Sequence, residues 1–126
     1  MITHRFPRSA HLRSSKDFER IYSLRCKAAD GVLLIFIARN TIDATRIGLS
    51  VSRKHGGAVA RNRLKRLLRE AFRLEQSRLP KGVDLIAIPL AADRSSLLAF
   101  RNSLNGLVKR LSRRLDRPAP SGESSS

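Results

Sequence analysis

Residues 46–73 read RIGLSVSRKHGGAVARNRLKRLLREAFR, a strand pattern followed by a helix pattern. The first seven residues alternate, and their apolar members are predicted to face a core: Ile47, Leu49 and Val51. Two glycines, at positions 56 and 57, then separate the strand from the helix. The apolar residues of the helix recur at i, i+3, i+4 spacing; they are Ala60, Leu64, Leu67, Leu68, Ala71 and Phe72. The stretch therefore predicts a strand, a loop and an amphipathic helix that runs to about residue 79.

The other face of this helix is crowded with basic side chains. Residues 53–73 contain eight lysines and arginines and a single acid, Glu70. Arg61, Lys65 and Arg69 recur every four residues, so they lie along one side of the helix. Ordinary solvated faces mix both signs of charge because like charges repel. A face with so large an excess of positive charge predicts binding to an external polyanion.

The composition of the whole chain agrees with this reading. The chain has 126 residues, 26 of them Lys or Arg and 10 Asp or Glu, which gives a net charge of +16. Twenty of the basic residues are arginine, whose planar guanidinium binds phosphate oxygens in pairs. A hydrophobic content of 41% suffices for one packed domain. We therefore expect a single domain whose partner is a phosphate polymer.

The same survey argues against a membrane or secreted protein. We find no run of 18 or more apolar residues and no apolar signal-peptide segment near the N-terminus. One cysteine, Cys26, excludes an internal disulfide and a cysteine-based zinc site. We therefore expect a cytoplasmic protein.

Strand and helix patterns along the chain give the order α-β-β-β-α-β-α, an α+β arrangement in two layers. The first helix is predicted to begin after Ser14 and to continue through Tyr22. The last helix is predicted from about residues 93–95 to about 115. Three segments follow from these patterns: a basic arm in residues 1–13, one folded domain in 14–116 and a disordered Ser/Pro-rich tail in 117–126.

Residues suited to catalysis or to metal binding do not cluster in the sequence. The ten acids are scattered, and the histidines, His4, His11 and His55, show no metal-ligand spacing. His55 either contacts RNA or is solvated in a loop. A strand rather than a helix precedes the basic helix, which argues against a helix-turn-helix reader of DNA. We predict no catalytic residue and no metal ligand, and we expect binding to folded RNA.

The quoted stretch strongly resembles the signature of the bacterial ribonuclease P protein subunit, in which a strand leads through glycine and Ala-Val into an Arg-Asn-Arg helix. The resemblance includes Leu12–Phe18 with Tyr22, the strand 84–88 and the last helix, about 110 residues in all. It implies a small α/β sandwich like the second domain of ribosomal protein S5, with a left-handed β-α-β crossover. It also implies that the holoenzyme removes the 5′ leader of precursor tRNA, and that the RNA subunit with Mg²⁺ is the catalyst. The protein alone is then expected to bind no cofactor.

The resemblance also implies roles for individual residues. The residues expected to contact the RNA subunit are Arg61, Asn62, Arg63, Lys65, Arg66 and Arg69. The residues expected to line a cleft for the single-stranded leader are Phe18, Tyr22, Phe36, Ser50, Ser52, Arg53 and Lys54. The small side chains at Gly48, Ser50 and Ser52 are expected to allow a close approach of the leader, while Phe18 or Tyr22 stacks on a base. Phe18 could equally be a core residue, and Ile35 could take the place of Phe36.

Two other classes of function stay open. A general RNA chaperone or ribosome-associated protein would bind many RNAs without promoting cleavage of precursor tRNA. A self-sufficient protein nuclease would cleave without an RNA partner, and the scattered acids argue against it.

Overall fold

The computed structural model describes residues 11–90 and 95–116. Its helices are α1 (Ser15–Leu24), α2 (Ala58–Glu75) and α3 (Leu97–Asp116), and its strands are β1 (Lys27–Ala29), β2 (Leu33–Arg39), β3 (Arg46–Leu49) and β4 (Val83–Pro89). The predicted α+β class and the order α-β-β-β-α-β-α are confirmed. Predictions for residues 1–10, 91–94 and 117–126 lie outside the described residues.

The four strands form one mixed sheet in the order β1-β2-β4-β3. β2 pairs antiparallel with both β1 and β4, and β3 pairs parallel with β4, with Ile47 opposite Leu85. A parallel pair needs a crossover connection. Here α2 supplies that connection, so the strand, loop and helix of the quoted stretch form one β-α-β unit. The left hand of this crossover stays a prediction.

Helices α2 and α3 cover one face of the sheet. Alternate residues of β2 point into this core, and Leu33, Ile35 and Ile37 are fully buried there. The helices contribute further buried side chains to the same cluster; they include Leu64, Leu68, Phe72, Phe100, Leu104 and Leu111. Apolar burial on this scale is the main source of folding free energy.

The opposite face of the sheet carries α1. Ser14 caps the start of this helix and accepts a hydrogen bond from the Lys16 amide at 3.1 Å. Fully buried Ile21 packs there with Ala38, Ile86 and Leu12. The sandwich of the sheet with α2 and α3 thus has α1 as an additional cover on its other side.

Buried Asp84 fixes α1 relative to the sheet. Its carboxylate is fully buried and accepts hydrogen bonds from Arg46 Nε and Nη2 and from Asn40 Nδ2, each at 2.8 Å. It also accepts one from Arg20 of α1. Burial alone would raise the pKa of Asp84, but these hydrogen bonds outweigh burial, so its pKa is lowered. One carboxylate therefore joins α1, β3 and β4.

Helix α2 differs from its prediction at both ends. Ala60, predicted to be buried, is exposed, as are the residues before it, and Leu64 is the first α2 residue to be buried. The first turn of α2 therefore extends beyond the core. Leu67 is half-buried, packed against the core. The helix ends at Glu75 and is followed by a short 3-10 turn, Gln76–Arg78, rather than continuing to residue 79.

Candidate nucleic-acid interface

The exposed face of α2 forms an open groove lined almost entirely by charged and amide side chains. The lining residues are Asn62, Lys65, Arg66, Arg69, Glu70 and Arg73. Four of them belong to the set predicted to contact RNA. They share one face because their spacing of three and four residues matches the helical repeat. No acid lies in the first turn of α2, and its N-cap, Gly57, makes no side-chain cap. The positive end of the helix dipole is therefore uncompensated.

The single acid in this groove is already paired. Arg73 Nε donates to Glu70 Oε1 at 3.0 Å, and Arg73 Nη2 donates to Glu70 Oε2. The hydrogen bond from Arg73 lowers the pKa of Glu70 below its ordinary value. Since the charge of Glu70 is neutralised within the helix, the groove keeps an excess of positive charge from Lys65, Arg66 and Arg69.

The structure places the two other predicted arginines differently. Arg63 is exposed and donates through Nη2 to the Ser95 carbonyl at 3.3 Å, so it is directed toward the start of α3. Arg61 is half-buried, and its Nε is buried without a hydrogen-bond partner among the described residues. The predicted set thus divides into a shared groove and two flanking positions.

A second groove lies beside the first, because Lys65 and Arg69 line both. Its other walls are β3 and the segment before α1, including His11, Leu12 and Arg13. The Leu12 amide donates to the Ile47 carbonyl at 2.9 Å, which holds this segment against β3. The sequence analysis did not assign His11 or Arg13 to a site, although their position in a basic arm was a signal for it.

The predicted aromatic residues come together on the α1 face of the sheet. The ring centroids of Tyr22 and Phe36 lie 4.8 Å apart in an edge-to-face arrangement, and those of Phe18 and Tyr22 lie 6.2 Å apart. Lys27 Nζ lies 5.5 Å from the Phe36 centroid, a cation–π position that the sequence analysis missed. All three rings are half-buried. Phe36, and not the fully buried Ile35, faces this side.

One expectation about this face is wrong. Gly48 is buried, and a Cβ added there would lie 2.5 Å from Phe18 Cζ and 3.2 Å from Leu12 Cβ. The protein's own Phe18 therefore fills the space at Gly48 in which the single-stranded leader was expected to approach the sheet closely. Ser50 is half-buried, and its amide donates to the Ala87 carbonyl at 3.0 Å. Ser52, Arg53 and Lys54 are exposed in the loop after β3.

Both ring nitrogens of His55 have hydrogen-bond partners within the protein, and whether His55 also contacts RNA stays a prediction. The Ser52 amide donates to its Nδ1 at 2.9 Å, so in this tautomer Nε2 carries the proton and donates to the Pro89 carbonyl at 2.8 Å. His55 therefore connects the loop after β3 to the end of β4. Because His55 and Pro89 are 34 residues apart in the chain, no local sequence pattern predicts this contact.

Within residues 11–90 and 95–116, no three His, Cys, Asp or Glu side chains come together in a way that could hold a metal ion. The partners of Asp84 and Glu75 are arginines and amides. No helix in this part of the chain has the length and apolarity needed to cross a membrane.

Comparison with known proteins agrees with this geometry. A family profile described as Ribonuclease P matches residues 6–112. The ribonuclease P protein component of Clostridioides difficile is 35% identical over 107 residues, which cover 83% of this chain and 94% of the relative. The ribonuclease P protein component of Thermotoga maritima is 33% identical over 115 residues, covering 87% and 98%.

Solved structures give the same result. The structure of the Staphylococcus aureus RNase P protein superposes with a TM-score of 0.70 at 34% identity, covering 80% of this chain and 94% of that one. The RNase P protein from Thermotoga maritima superposes with a TM-score of 0.72 at 33% identity, covering 79% and 96%. Sequence and fold therefore lead to the same set of relatives.

Proposed function

Since the chain belongs to the ribonuclease P protein family, we propose that it binds the catalytic RNA subunit of ribonuclease P and the 5′ leader of precursor tRNA. In this role it assists hydrolysis of the phosphodiester bond that frees the mature tRNA 5′ end. The observation that carries the proposal is the groove on α2. Glu70 is paired within the helix there, and Lys65, Arg66 and Arg69 have no ion-pair partner among the described residues, so they are available to an external polyanion.

The α2 groove is the surface that we assign to the RNA subunit. Arg66 and Arg69 offer planar guanidinium groups on a rigid helix, so little conformational entropy is lost per phosphate contact. The uncompensated helix dipole adds a favourable potential for phosphates near the first turn. Arg61, which is half-buried, and Arg63, which is exposed, flank this surface and add positive charge beside it.

The α1 face is the surface that we assign to the single-stranded leader. Phe18, Tyr22 and Phe36 are half-buried aromatic residues, and an unpaired base could stack on the accessible part of a ring face. Lys27, together with Arg53 and Lys54 of the loop after β3, adds positive charge for the leader phosphates. His55 holds that loop against the end of β4. Stacking on aromatic rings depends little on which base is bound, so this surface suits leaders of many sequences.

We assign the chemical step to the RNA subunit and not to residues of this chain. Mg²⁺ in the holoenzyme would supply a metal-activated water and stabilise the developing charge on the oxygens. The described residues do not fit such an ion, because no three of their possible ligands come together. The role of this chain is then to position the RNA subunit and the leader. We expect it to act in the cytoplasm, with no membrane or DNA partner.

Cleavage of a 5′-labelled precursor tRNA at low Mg²⁺ tests the proposal. Three reactions contain this protein alone, a bacterial ribonuclease P RNA alone, and both together. Cleavage at the mature 5′ end is expected only when both are present. Cleavage by the protein alone would mean that it is a self-sufficient nuclease. A competent RNA that gains nothing from the protein would favour the general RNA-binding alternative.

A precursor with a shortened leader tests the leader surface separately. The stimulation by the protein should fall when the leader is too short to reach Phe18 and Tyr22. A variant in which Tyr22→Ala removes one ring should lose stimulation on the long leader but change little on the short one. Equal losses on both substrates would place the leader elsewhere.

A further inference from the structure

A further groove runs between the end of α2 and the exposed side of α3. It consists of two neighbouring cavities of about 430 and 330 Å³, and Arg78 lines both of them. It shares no lining residue with the groove on the exposed face of α2. Its floor is formed by successive turns of α3, from Leu98 to Arg113. The family resemblance and the proposed function make no use of this surface.

The groove carries spare positive charge. Its lining includes four cations, Arg78, Arg101, Lys109 and Arg113, and one acid, Glu75. Glu75 is only 3% exposed and accepts hydrogen bonds from Arg101 Nε at 2.7 Å and Asn105 Nδ2 at 2.8 Å. Burial alone would raise the pKa of Glu75, but these hydrogen bonds outweigh it and its pKa is lowered. The acid is therefore satisfied internally.

Lys109 and Arg113 lie one helical turn apart at the other end of the groove. Both are exposed, and neither forms an ion pair within residues 11–90 and 95–116. Like charges four residues apart on a helix repel and destabilise it. An anion bound between them would remove that repulsion.

Gly106 gives this surface an unusual shape. It lies in the middle of α3, is exposed, and lines the groove. Glycine is a poor helix former, so its presence here disfavours the helix. A Cβ added at Gly106 would meet no atom within 4 Å, so no packing within the described protein requires a glycine. The missing side chain leaves room for another molecule's backbone to approach the helix closely.

We propose that this groove between α2 and α3 is a third RNA-binding surface, which takes the phosphate backbone of a segment separate from the one on the α2 face. Lys109 and Arg113 are complementary to phosphate, since the one acid among the described lining residues, Glu75, is already satisfied. A protein partner would require a wider exposed apolar surface than Leu98 and half-buried Pro80 provide. With this groove and the α2 face the protein would hold two RNA segments at a fixed distance. This goes beyond the proposed function, which uses α2 and the α1 face.

Binding of a labelled short RNA duplex, followed by fluorescence anisotropy between about 50 and 200 mM salt, tests the proposal. All proteins carry Arg66→Ala and Arg69→Ala, so that binding at the α2 face is weakened. Adding Lys109→Ala with Arg113→Ala should lower the affinity at least tenfold and reduce the slope of log K against log salt by about 2. The matched control is Arg110→Ala with Arg114→Ala, which removes the same number of charges from the same helix outside the groove lining and should lower the affinity less than twofold.

A second variant separates shape from charge. Gly106→Gln places a good helix former at an exposed site and should raise the melting temperature, while its side chain fills the groove and weakens duplex binding about fivefold. Unchanged RNA affinity in both this variant and the Lys109/Arg113 variant would overturn the proposal and leave an acidic protein as the alternative occupant. An equal loss in the Arg110/Arg114 variant would also overturn it, because the effect would then be net charge alone. No cleavage is measured, so the result is independent of whether the protein activates ribonuclease P RNA.

Discussion

Asp84→Asn should be among the most destabilising conservative substitutions in this protein. Asparagine keeps the size of the side chain but removes its charge. It also replaces one acceptor oxygen with an NH2 group, which is a donor and would face an arginine donor. Three hydrogen bonds of 2.8 Å, two from Arg46 and one from Asn40, and the contact with Arg20 are disturbed together. Breaking a buried ion pair typically costs 3–5 kcal/mol. Because the side chains of Arg20 and Arg46 are 38% and 25% exposed and can regain water, we expect about 3 kcal/mol.

This loss should be measurable as a shift in melting temperature. For a domain of this size 1 kcal/mol corresponds to roughly 4 °C, so circular dichroism should show a decrease of about 12 °C at neutral pH. Asp116→Asn is the matched control, since Asp116 also pairs with an arginine but its side chain is 66% exposed. An exposed pair contributes about 0–1 kcal/mol, so the control should lose no more than about 4 °C.

The pH dependence gives an independent check. The folded state lowers the pKa of Asp84, so its carboxylate stabilises the fold above the unfolded value of about 3.9. That contribution is lost as pH falls through the still lower folded pKa. The difference in melting temperature between the wild type and Asp84→Asn should therefore shrink below about pH 4. Similar shifts for Asp84→Asn and Asp116→Asn, or a difference that stays constant into acid, would refute the reasoning.

Four further substitutions test the fold and the α2 surface. Arg66→Ala should weaken binding to the RNA subunit and reduce the salt slope by about 1 without changing the melting temperature; normal affinity in a binding titration would argue against the α2 surface. Leu68→Ala should destabilise by about 2–5 kcal/mol in chemical denaturation, because Leu68 is fully buried, and an unchanged midpoint would contradict the helix phase. Gly48→Ala should cost about 1–3 kcal/mol through its clash with Phe18, and Phe18→Leu in the same chain should restore part of that loss; the idea fails if thermal melts show no such rescue. His55→Ala should speed hydrogen exchange at the Ser52 amide, which loses its acceptor, and an unchanged rate would show that the loop does not depend on His55.

Local patterns in the sequence predicted most of the fold. The spacing of Leu64, Leu68 and Phe72 is a property of nine consecutive residues, and the structure buries all three. The alternation from Ile47 to Leu49 similarly fixed which side of β3 faces the core. Ala60 follows the same helical spacing but is exposed, because the position of the first turn relative to the sheet depends on how the whole helix is placed. The apolar periodicity predicts which face of a helix is buried, but not the residue at which the helix begins to contact the sheet.

Pairings between distant residues were beyond the reach of the sequence. The acids were described as scattered, yet Asp84 and Glu75 are buried and fully satisfied by arginines and amides from other elements. A signal was present, since Asp84 lies within a strand that is otherwise apolar and a buried carboxylate requires partners. The identity of those partners, and the use of His55 as a link to Pro89, depend on contacts across more than 30 residues of chain.

The place of β4 in the sheet has a consequence for the synthesis of the protein. β4 lies between β2 and β3, so these two strands contact each other only through a strand that is translated after both of them. While residues 15–75 emerge from the ribosome, the β1-β2 hairpin and the basic helix α2 have no completed sheet on which to pack. The nascent chain therefore passes through a stage in which the basic helix α2 has been translated, close to ribosomal RNA, before the sheet that it packs against is complete. Folding becomes cooperative when β4 arrives and joins both halves at once.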